Sequence, residues 1–523
     1  MSAWSGRTVL VLGLGDSGLA MARWCARQGA GLRVWDSRAP APREGELARE
    51  LPAAERLGGA LEPAALEGVA CVLKSPGLAP HDARIAPLLA EARRRGIERL
   101  GELDLFARAL AELAAGQGYR PQIAAISGTN GKTTTAAMTA LLVERAGRRV
   151  ALAGNVGPTL LDTLAAALAA DALPEVWVLE LSSFQLEGGG SGVAGFEPDA
   201  AAVLNLSEDH LDWHGSLAAY AEAKARIFGS RAAMVVNRDD ARVEAMVPQP
   251  PAAEAAPAAA AKGRGRAKPK FVPRRVVRFG LGAPQQPGDW GLLEEGGMVW
   301  LVRALPDEPG AGRRAAAAPE LHLQRLMPAD ALRVRGRHNA ANALAALALA
   351  SALGCALAPM LHALREYAGE PHRVQFVARV DEVDAYDDSK GTNVGATVAA
   401  LEGLGADRQP ARLAVILGGD GKGQDFAPLA APLARHARAV ATIGRDAPAI
   451  EAALADLSAD GLPLARHATL EAATDWCFEQ ARPGDAVLLS PACASLDMFG
   501  NYAERAAVFV AAVQARARAR GQA

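Results

Sequence analysis

The residues best suited to chemistry lie in the segment 123–135: an apolar run, then Gly128, Thr129, Asn130 and Gly131, then Lys132, Thr133 and Thr134. A β-type run, a glycine turn and a helix start, in that order, aim backbone N–H groups and the positive end of a helix dipole at one point, which suits a phosphate. Lys132 would add a full charge for the β- and γ-phosphates, and the Thr133 hydroxyl could ligate Mg²⁺. The loop is shorter than the usual version, because Ile126 stands where an earlier glycine would. The bland alternative is an ordinary glycine turn beside a surface lysine.

Further candidates stand at the ends of later apolar runs. Glu180 follows Val176–Leu179, where Mg²⁺ is commonly held opposite a phosphate loop, although an exposed strand-end carboxylate would read the same way. Asn155 follows the run 149–153, and His210 follows the run 200–204. His210 reads either as a packed histidine or as a metal or substrate contact. His210 and His214 have i,i+4 spacing, but no third ligand is arranged around them for zinc. Lys224, on a helix over 217–228, reads from spacing alone as a solvated lysine. Asn339 and Asn342 share one face of the next helix and either read a base edge or cap that helix.

A second glycine pattern opens the chain. Gly13, Gly15 and Gly18 follow the strand-like run 8–12, and Asp36, with Ser37 and Arg38, ends the next run 18 residues later. This fingerprint places a diphosphate near a helix N-terminus and a ribose-type hydroxyl near Asp36. It fits NAD, a UDP-sugar, or a tight turn that binds nothing. The turn Lys74-Ser-Pro-Gly77 falls at the same sheet edge, and a helix is expected over 88–115. In the last third, three runs end in Asp388-Ser-Lys390-Gly-Thr392-Asn393, in Gly418-Gly-Asp-Gly-Lys422 and in Ser490-Pro-Ala-Cys-Ala-Ser495-Leu496. Two lysines and several hydroxyls at one edge suit an anionic ligand.

Positioning these groups requires strands alternating with helices, hence mostly parallel sheets. The expected fold class is α/β in three domains: a Rossmann-like N-terminal domain over 1–118, a P-loop ATPase-like central domain over 119–369, and a Rossmann-like C-terminal domain over 370–523. The central domain carries an insertion at about 248–319. Its stretch 248–270 is Ala/Pro-rich and ends in Lys262, Arg264, Arg266, Lys268 and Lys270, a composition that cannot bury a core. With no aromatic residue interleaved there, nucleic acid is not an expected partner. The chain has 523 residues, half of them apolar, and a formal charge of −2, which exerts no general pull on nucleic acid or anionic lipid. Five scattered cysteines suit a reducing compartment. No signal peptide is expected before the first strand, and the Ala-rich stretch 343–361 reads as a buried helix rather than a membrane span.

Together the motifs resemble the Mur ligases, in the ATP-dependent superfamily that also holds folylpolyglutamate synthetases. Gly128-Thr-Asn-Gly-Lys-Thr133 and Gly336-Arg-His-Asn339 carry the superfamily likeness. The three C-terminal motifs are similar to those of the members that add D-glutamate. The resemblance implies an ATP-dependent ligase that joins D-glutamate to UDP-N-acetylmuramoyl-L-alanine through an acyl phosphate, in a cytoplasmic monomer. Position by position it implies a UDP-substrate site at Gly15, Asp16, Ser17, Gly18, Asp36, Ser37, Arg38, Gly77, Asn155 and His210. It implies ATP contacts at Gly128 to Thr134, Asn339, Asn342, Arg373, Asp388 and Lys390, with His372 nearby. Two Mg²⁺ ions would be served by Thr133, Glu180, His210 and Lys224, the last as a carbamate, with Lys132, His210 and Lys224 catalytic. D-glutamate would meet Thr392, Lys422, Ser495, Leu496 and Tyr502. Tyr502 stands where the family has Phe, and Asp16-Ser17 where a Thr is common. Another Mur step, a folate-type ligase, an NAD-dependent oxidoreductase and a non-catalytic nucleotide-binding module are the alternatives.

Overall fold

The computed structural model describes residues 4–188, 195–249, 273–305, 321–334, 336–408 and 410–522. Three sheets form in chain order. The first holds β1 (Thr8–Leu12), β2 (Gly31–Trp35), β3 (Glu55–Leu57), β4 (Val69–Lys74) and β5 (Glu98–Leu100), all parallel, in the order β3-β2-β1-β4-β5. The unbroken apolar run of β1 is buried on both faces, as a central parallel strand must be.

The central sheet holds β6 (Gln122–Ser127), β7 (Val150–Gly154), β8 (Val176–Glu180), β9 (Ala200–Val203), β10 (Ala233–Asn237), β11 (Val276–Phe279), β12 (Trp290–Glu295), β13 (Met298–Ala304) and β14 (Leu323–Pro328). Their order is β14-β13-β12-β11-β10-β9-β6-β8-β7. The phosphate-loop strand β6 therefore lies between β8 and β9, and the loops after those strands must flank its turn. The C-terminal sheet runs β15 (Gln375–Val380), β16 (Val383–Asp387), β20 (Ala486–Leu489), β17 (Leu413–Gly418), β18 (Ala437–Ile443), β19 (Leu464–Arg466), with β15 antiparallel to β16.

The α/β class with three sheets is as expected; three local readings change. The helix expected over 88–115 is two helices, Ala86–Arg94 and Glu102–Gln117, with β5 between them. The chain reverses at Gly96, whose φ of +70° ends the first helix. The stretch 343–361 is also divided, into the helices Arg337–Ala352 and Leu357–Glu366, and both pack on the helix Lys132–Arg145. Among the described residues no helix is long and apolar enough to cross a membrane. The insertion is not flexible throughout: the runs 276–279 and 298–302, whose composition is strand-like, are strands, and β11 to β13 extend the central sheet and bury Phe279, Trp290 and Leu301. The basic cluster 262–270 and the stretch 306–319 lie outside the described residues.

Candidate functional site

The turn after β6 closes on itself. Lys132 Nζ donates to the carbonyls of Gly128 (2.9 Å) and Thr129 (2.8 Å), holding the loop as a ring. Gly131 has φ +81°, and a Cβ there would come within 2.5 Å of Asn342 Oδ1, so only glycine lets the helix Arg337–Ala352 approach the loop. Asn342 donates to Asn339 Oδ1 at 3.2 Å, so the two asparagines are paired beside the loop. Asn205, after β9, braces the loop from the other side, accepting from Asn130 N–H at 2.8 Å.

Glu180 ends β8, only 1 % exposed. Its Oε1 accepts from Asn155 Nδ2 at 3.0 Å, whereas Oε2 has no hydrogen-bond partner. A buried carboxylate oxygen left open costs stability unless something fills it, and a divalent cation suits it. Thr133 is 4 % exposed, and its Oγ1 accepts from Arg373 Nη2 at 2.9 Å and Lys390 Nζ at 3.4 Å. Both donors come from beyond the central sheet. Asn393 joins them, donating to Asn130 Oδ1 at 3.1 Å while its own Oδ1 caps the helix Val394–Asp407.

Lys224 overturns its residue-level reading: it is 1 % exposed, not solvated. Its Nζ donates to Gly128 O at 2.8 Å and lies 4.5 Å from the Tyr220 ring centroid. Burial, then the nearby Lys132, pushes its pKa well below the usual lysine value. Burial also lowers Lys132, and it brings Lys390 down to about 8 with help from Arg373. Several cations crowd one turn, with Glu180 and Asp209 as the nearby acids, a field that a polyanion would relieve. Asp388 is pushed up to about 7 by burial, and its Oδ2 accepts from Ser490 Oγ at 2.7 Å.

His210 has φ +53°, which turns its ring edge-on to Phe184 (4.7 Å between centroids). Phe184 packs on Trp213 at 4.1 Å, and the Lys74 ammonium sits 5.4 Å from the Trp213 ring centroid. Lys74 also donates to Leu78 O at 2.9 Å, closing the turn that contains Gly77. His214 is drawn aside to Ser183 Oγ at 3.0 Å.

The N-terminal fingerprint residues line two clefts. One, of about 730 Å³, includes Asp36, Ser37 and Arg38. The other, of about 530 Å³, lies between the first two sheets and includes Asp16, Ser17 and Asn155. Gly18 is obligatory, since a Cβ there would lie 1.9 Å from Gly13 O. Both Asp36 oxygens are engaged, Oδ2 by Leu14 N–H at 2.6 Å and Oδ1 by Arg38 at 2.9 Å. Burial opposes its charge, but those bonds win and hold its pKa at about 2.

On the C-terminal side, Lys422 lines a cleft with His210 and Asp209. Ser495 is buried and Leu496 is 70 % exposed. Tyr502 faces Lys390 (5.6 Å) and His372 (6.1 Å). For Thr392 the structure gives a backbone bond to Lys390 O at 3.0 Å. Sequence reasoning assigned no role to Asn205, Asn393, Lys74 or Arg505. Lys74 and Asn393 carried a signal, since each stands in a strand-end motif of the sequence.

The sheets, turns and charges together resemble proteins of known activity. The chain matches the Mur ligase MurD-like N-terminal domain over residues 7–101, the Mur ligase middle domain over 126–259 and the Mur ligase glutamate ligase domain over 372–493. It is 56 % identical over 525 residues to the UDP-N-acetylmuramoylalanine–D-glutamate ligase of Albidiferax ferrireducens, covering 100 % of this chain and 99 % of that one. It is 57 % identical over 516 residues to the enzyme of the same name from Burkholderia mallei, covering 97 % and 96 %. Among solved structures, the UDP-N-acetylmuramate-alanine ligase of Thermotoga maritima has a TM-score of 0.55 at 19 % identity, covering 97 % of this chain and 99 % of its own. The MurF ligase of the same organism, in complex with ADP, also scores 0.55, at 16 % identity, covering 94 % and 96 %. These two share the fold.

Proposed function

The chain belongs to the Mur ligase family, and from that premise we propose that it joins D-glutamate to UDP-N-acetylmuramoyl-L-alanine with hydrolysis of ATP to ADP and phosphate. The reaction serves peptidoglycan precursor synthesis. A carboxylate does not condense with an amine in water, because oxide is not a leaving group. The alanyl carboxylate oxygen therefore attacks the γ-phosphorus and ADP departs. The amine of D-glutamate then attacks the acyl phosphate carbon, and phosphate leaves from the tetrahedral intermediate.

The observation that carries this reading is the meeting at Thr133 of Arg373 and Lys390, which come from another sheet, beside the cation-rich turn of Lys132. That arrangement supports a phosphoryl-transfer site closed by two domains. Thr133 and the open oxygen of Glu180 would hold Mg²⁺, which would supply charge neutralisation to the phosphates. We assign a second ion to His210 and to Lys224 as its carbamate. The depressed pKa of Lys224 supports that, since a neutral amine is the form that takes up CO₂. Lys132 and Arg373 steady charge on the transferring group. Asn339 and Asn342 fit the adenine side, and Asp388 with Lys390 the nucleotide arm. The cleft of Asp16, Ser17 and Asn155, with Gly15, Gly18, Gly77 and the Asp36–Arg38 turn, suits the UDP-linked substrate. Thr392, Lys422, Ser495, Leu496 and Tyr502 suit D-glutamate, whose carboxylates call for Lys422. We take the domains to be 1–118, 119–369 and 370–523, and the enzyme to be a monomer of the cytoplasm, where its nucleotide substrates are made.

The test is phosphate release from ATP and Mg²⁺. Release is expected to require both UDP-N-acetylmuramoyl-L-alanine and D-glutamate, to fail with L-glutamate, and to be lost in Lys132→Ala. Full activity in that variant would remove the assignment.

A further inference from the structure

Arg505 is fully buried on the helix Tyr502–Ala519. Taking a guanidinium out of water is costly unless its donors are met, so such a residue is kept for what its fork holds together. Its Nε donates to Ser389 Oγ at 3.0 Å and its Nη2 to Ser389 O at 2.7 Å, while Nη1 donates to Cys493 O at 3.1 Å. Ser389 Oγ in turn donates to Tyr502 O at 2.9 Å. None of these acceptors is a carboxylate, so the bonds are not an ion pair. They are loop groups: Ser389 stands between Asp388 and Lys390, and Cys493 stands two residues before Ser495. Burial brings the Arg505 pKa down to about 10, which leaves it charged at neutral pH.

We propose that Arg505 is a positioning residue that clamps the nucleotide arm Asp388–Lys390 to the amino-acid arm Cys493–Ser495, so that the two pockets are organised as one unit. The clamp rests on the ligase reading above, and it adds to that reading a residue that touches neither substrate. It accounts for a charge in the core that packing alone would not require. It also ties Tyr502, at the start of the same helix, to the loop that carries Lys390.

The experiment compares KM values for all three substrates in the full-length enzyme. Arg505→Lys keeps the charge and loses the fork. It is expected to raise KM for ATP and for D-glutamate together, each by about tenfold, the size of one lost charged hydrogen bond. KM for UDP-N-acetylmuramoyl-L-alanine is expected to stay within about twofold, because its cleft lies between the first two sheets and includes none of the clamped residues. Ser389→Ala removes one acceptor with little change of volume, and is expected to show the same paired rise at about threefold. It decides the matter if Arg505→Lys does not fold. Normal KM values in folded variants, or a rise for one substrate alone, would overturn the clamp. Lys422→Ala separates this from the reading beneath it: if the wild-type enzyme turns over and Lys422→Ala raises the D-glutamate KM while both clamp variants behave normally, the clamp fails and the ligase stands. Absence of D-glutamate-dependent turnover in the wild type would sink both.

Discussion

The central sheet meets its two neighbours in opposite ways. Toward the N-terminal sheet the junction is a continuous apolar core. Val9, Val11, Leu19, Leu103 and Phe106 on one side pack in a single cluster with Ile123, Leu161 and Trp177 on the other. Phe106 and Trp177 meet edge-to-face at 5.0 Å. Toward the C-terminal sheet no apolar cluster of the described residues crosses; the C-terminal clusters are closed on themselves. That junction carries hydrogen bonds instead, from Arg373 and Lys390 to Thr133 and from Asn393 to Asn130. Breaking the first seam exposes hydrocarbon, whereas breaking the second exchanges protein partners for water at small net cost. One junction therefore fixes the clefts of Asp36 and of Asp16 and Asn155, and the other is the one that the proposed ligase would open and close around nucleotide and amino acid.

The apolar seam is most easily weakened at Phe106. Phe106→Ala is expected to cost about 3–5 kcal/mol, the usual range for a buried Phe truncation. Calorimetry should show the transition of the first two sheets falling while that of the C-terminal sheet stays in place. A uniform shift of both would mean that the polar junction is as cooperative as the apolar one. A smaller effect comes from Glu102, 2 % exposed in the same seam, whose Oε1 accepts from Leu161 N–H at 3.1 Å. Burial raises its pKa to about 7 from 4.5. Between those values the folded protein binds a proton that the unfolded chain has released, so stability is lost as pH rises through the window. At about 1.4 kcal/mol per pKa unit the loss reaches at most ~3 kcal/mol. Glu102→Gln, permanently neutral, should flatten that slope and be the more stable protein at pH 7.5, with the advantage gone at pH 4.5. An unchanged slope would show that other groups set it.

The legible parts of the fold were those in which one local pattern fixes one local structure. Gly128 to Thr133 and Gly13 to Gly18 announced their turns because backbone geometry there leaves no choice of residue. The unbroken apolar runs announced parallel strands for a different reason, since such strands are buried on both faces. Lys224 was illegible as chemistry, since helical spacing cannot distinguish a solvated lysine from one folded beneath a loop 96 residues earlier. Arg505 was illegible because two of its three bonds go to Ser389, 116 residues earlier, and an arginine in an alanine-rich helix that also carries Arg516 and Arg518 reads as surface. The helix expected over 88–115 failed because Gly96 and a three-residue strand interrupt an otherwise continuous helical composition. Only the resemblance to the Mur ligases, carried by several motifs at once, joined the local readings into one site.

The smallest expected effect sharpens the picture of the movable junction. The chain enters the C-terminal sheet through His372 and Val374, with φ +63° and +46° on either side of Arg373. A β-branched residue in the left-handed region is strained by ~1–3 kcal/mol and persists only where neighbours enforce it. The neighbours are visible: His372 Nδ1 lies 2.7 Å from Asp387 Oδ2, and Val374 N–H donates to Asp388 Oδ1 at 3.3 Å. Those bonds turn the Arg373 guanidinium toward Thr133. Val374→Gly relieves the strain but makes the unfolded chain more flexible, a cost of ~0.5–1 kcal/mol. The difference predicts a net stabilisation of about 1 kcal/mol in the C-terminal transition, with the transition of the first two sheets unmoved. Because the strain is also what aims Arg373, the same variant should raise KM for ATP a few-fold while KM for the UDP-linked substrate holds. Loss of stability instead would mean that the Val374 side chain, packed against the C-terminal core, contributes more than its backbone costs, and that the entry segment is an anchor rather than a hinge.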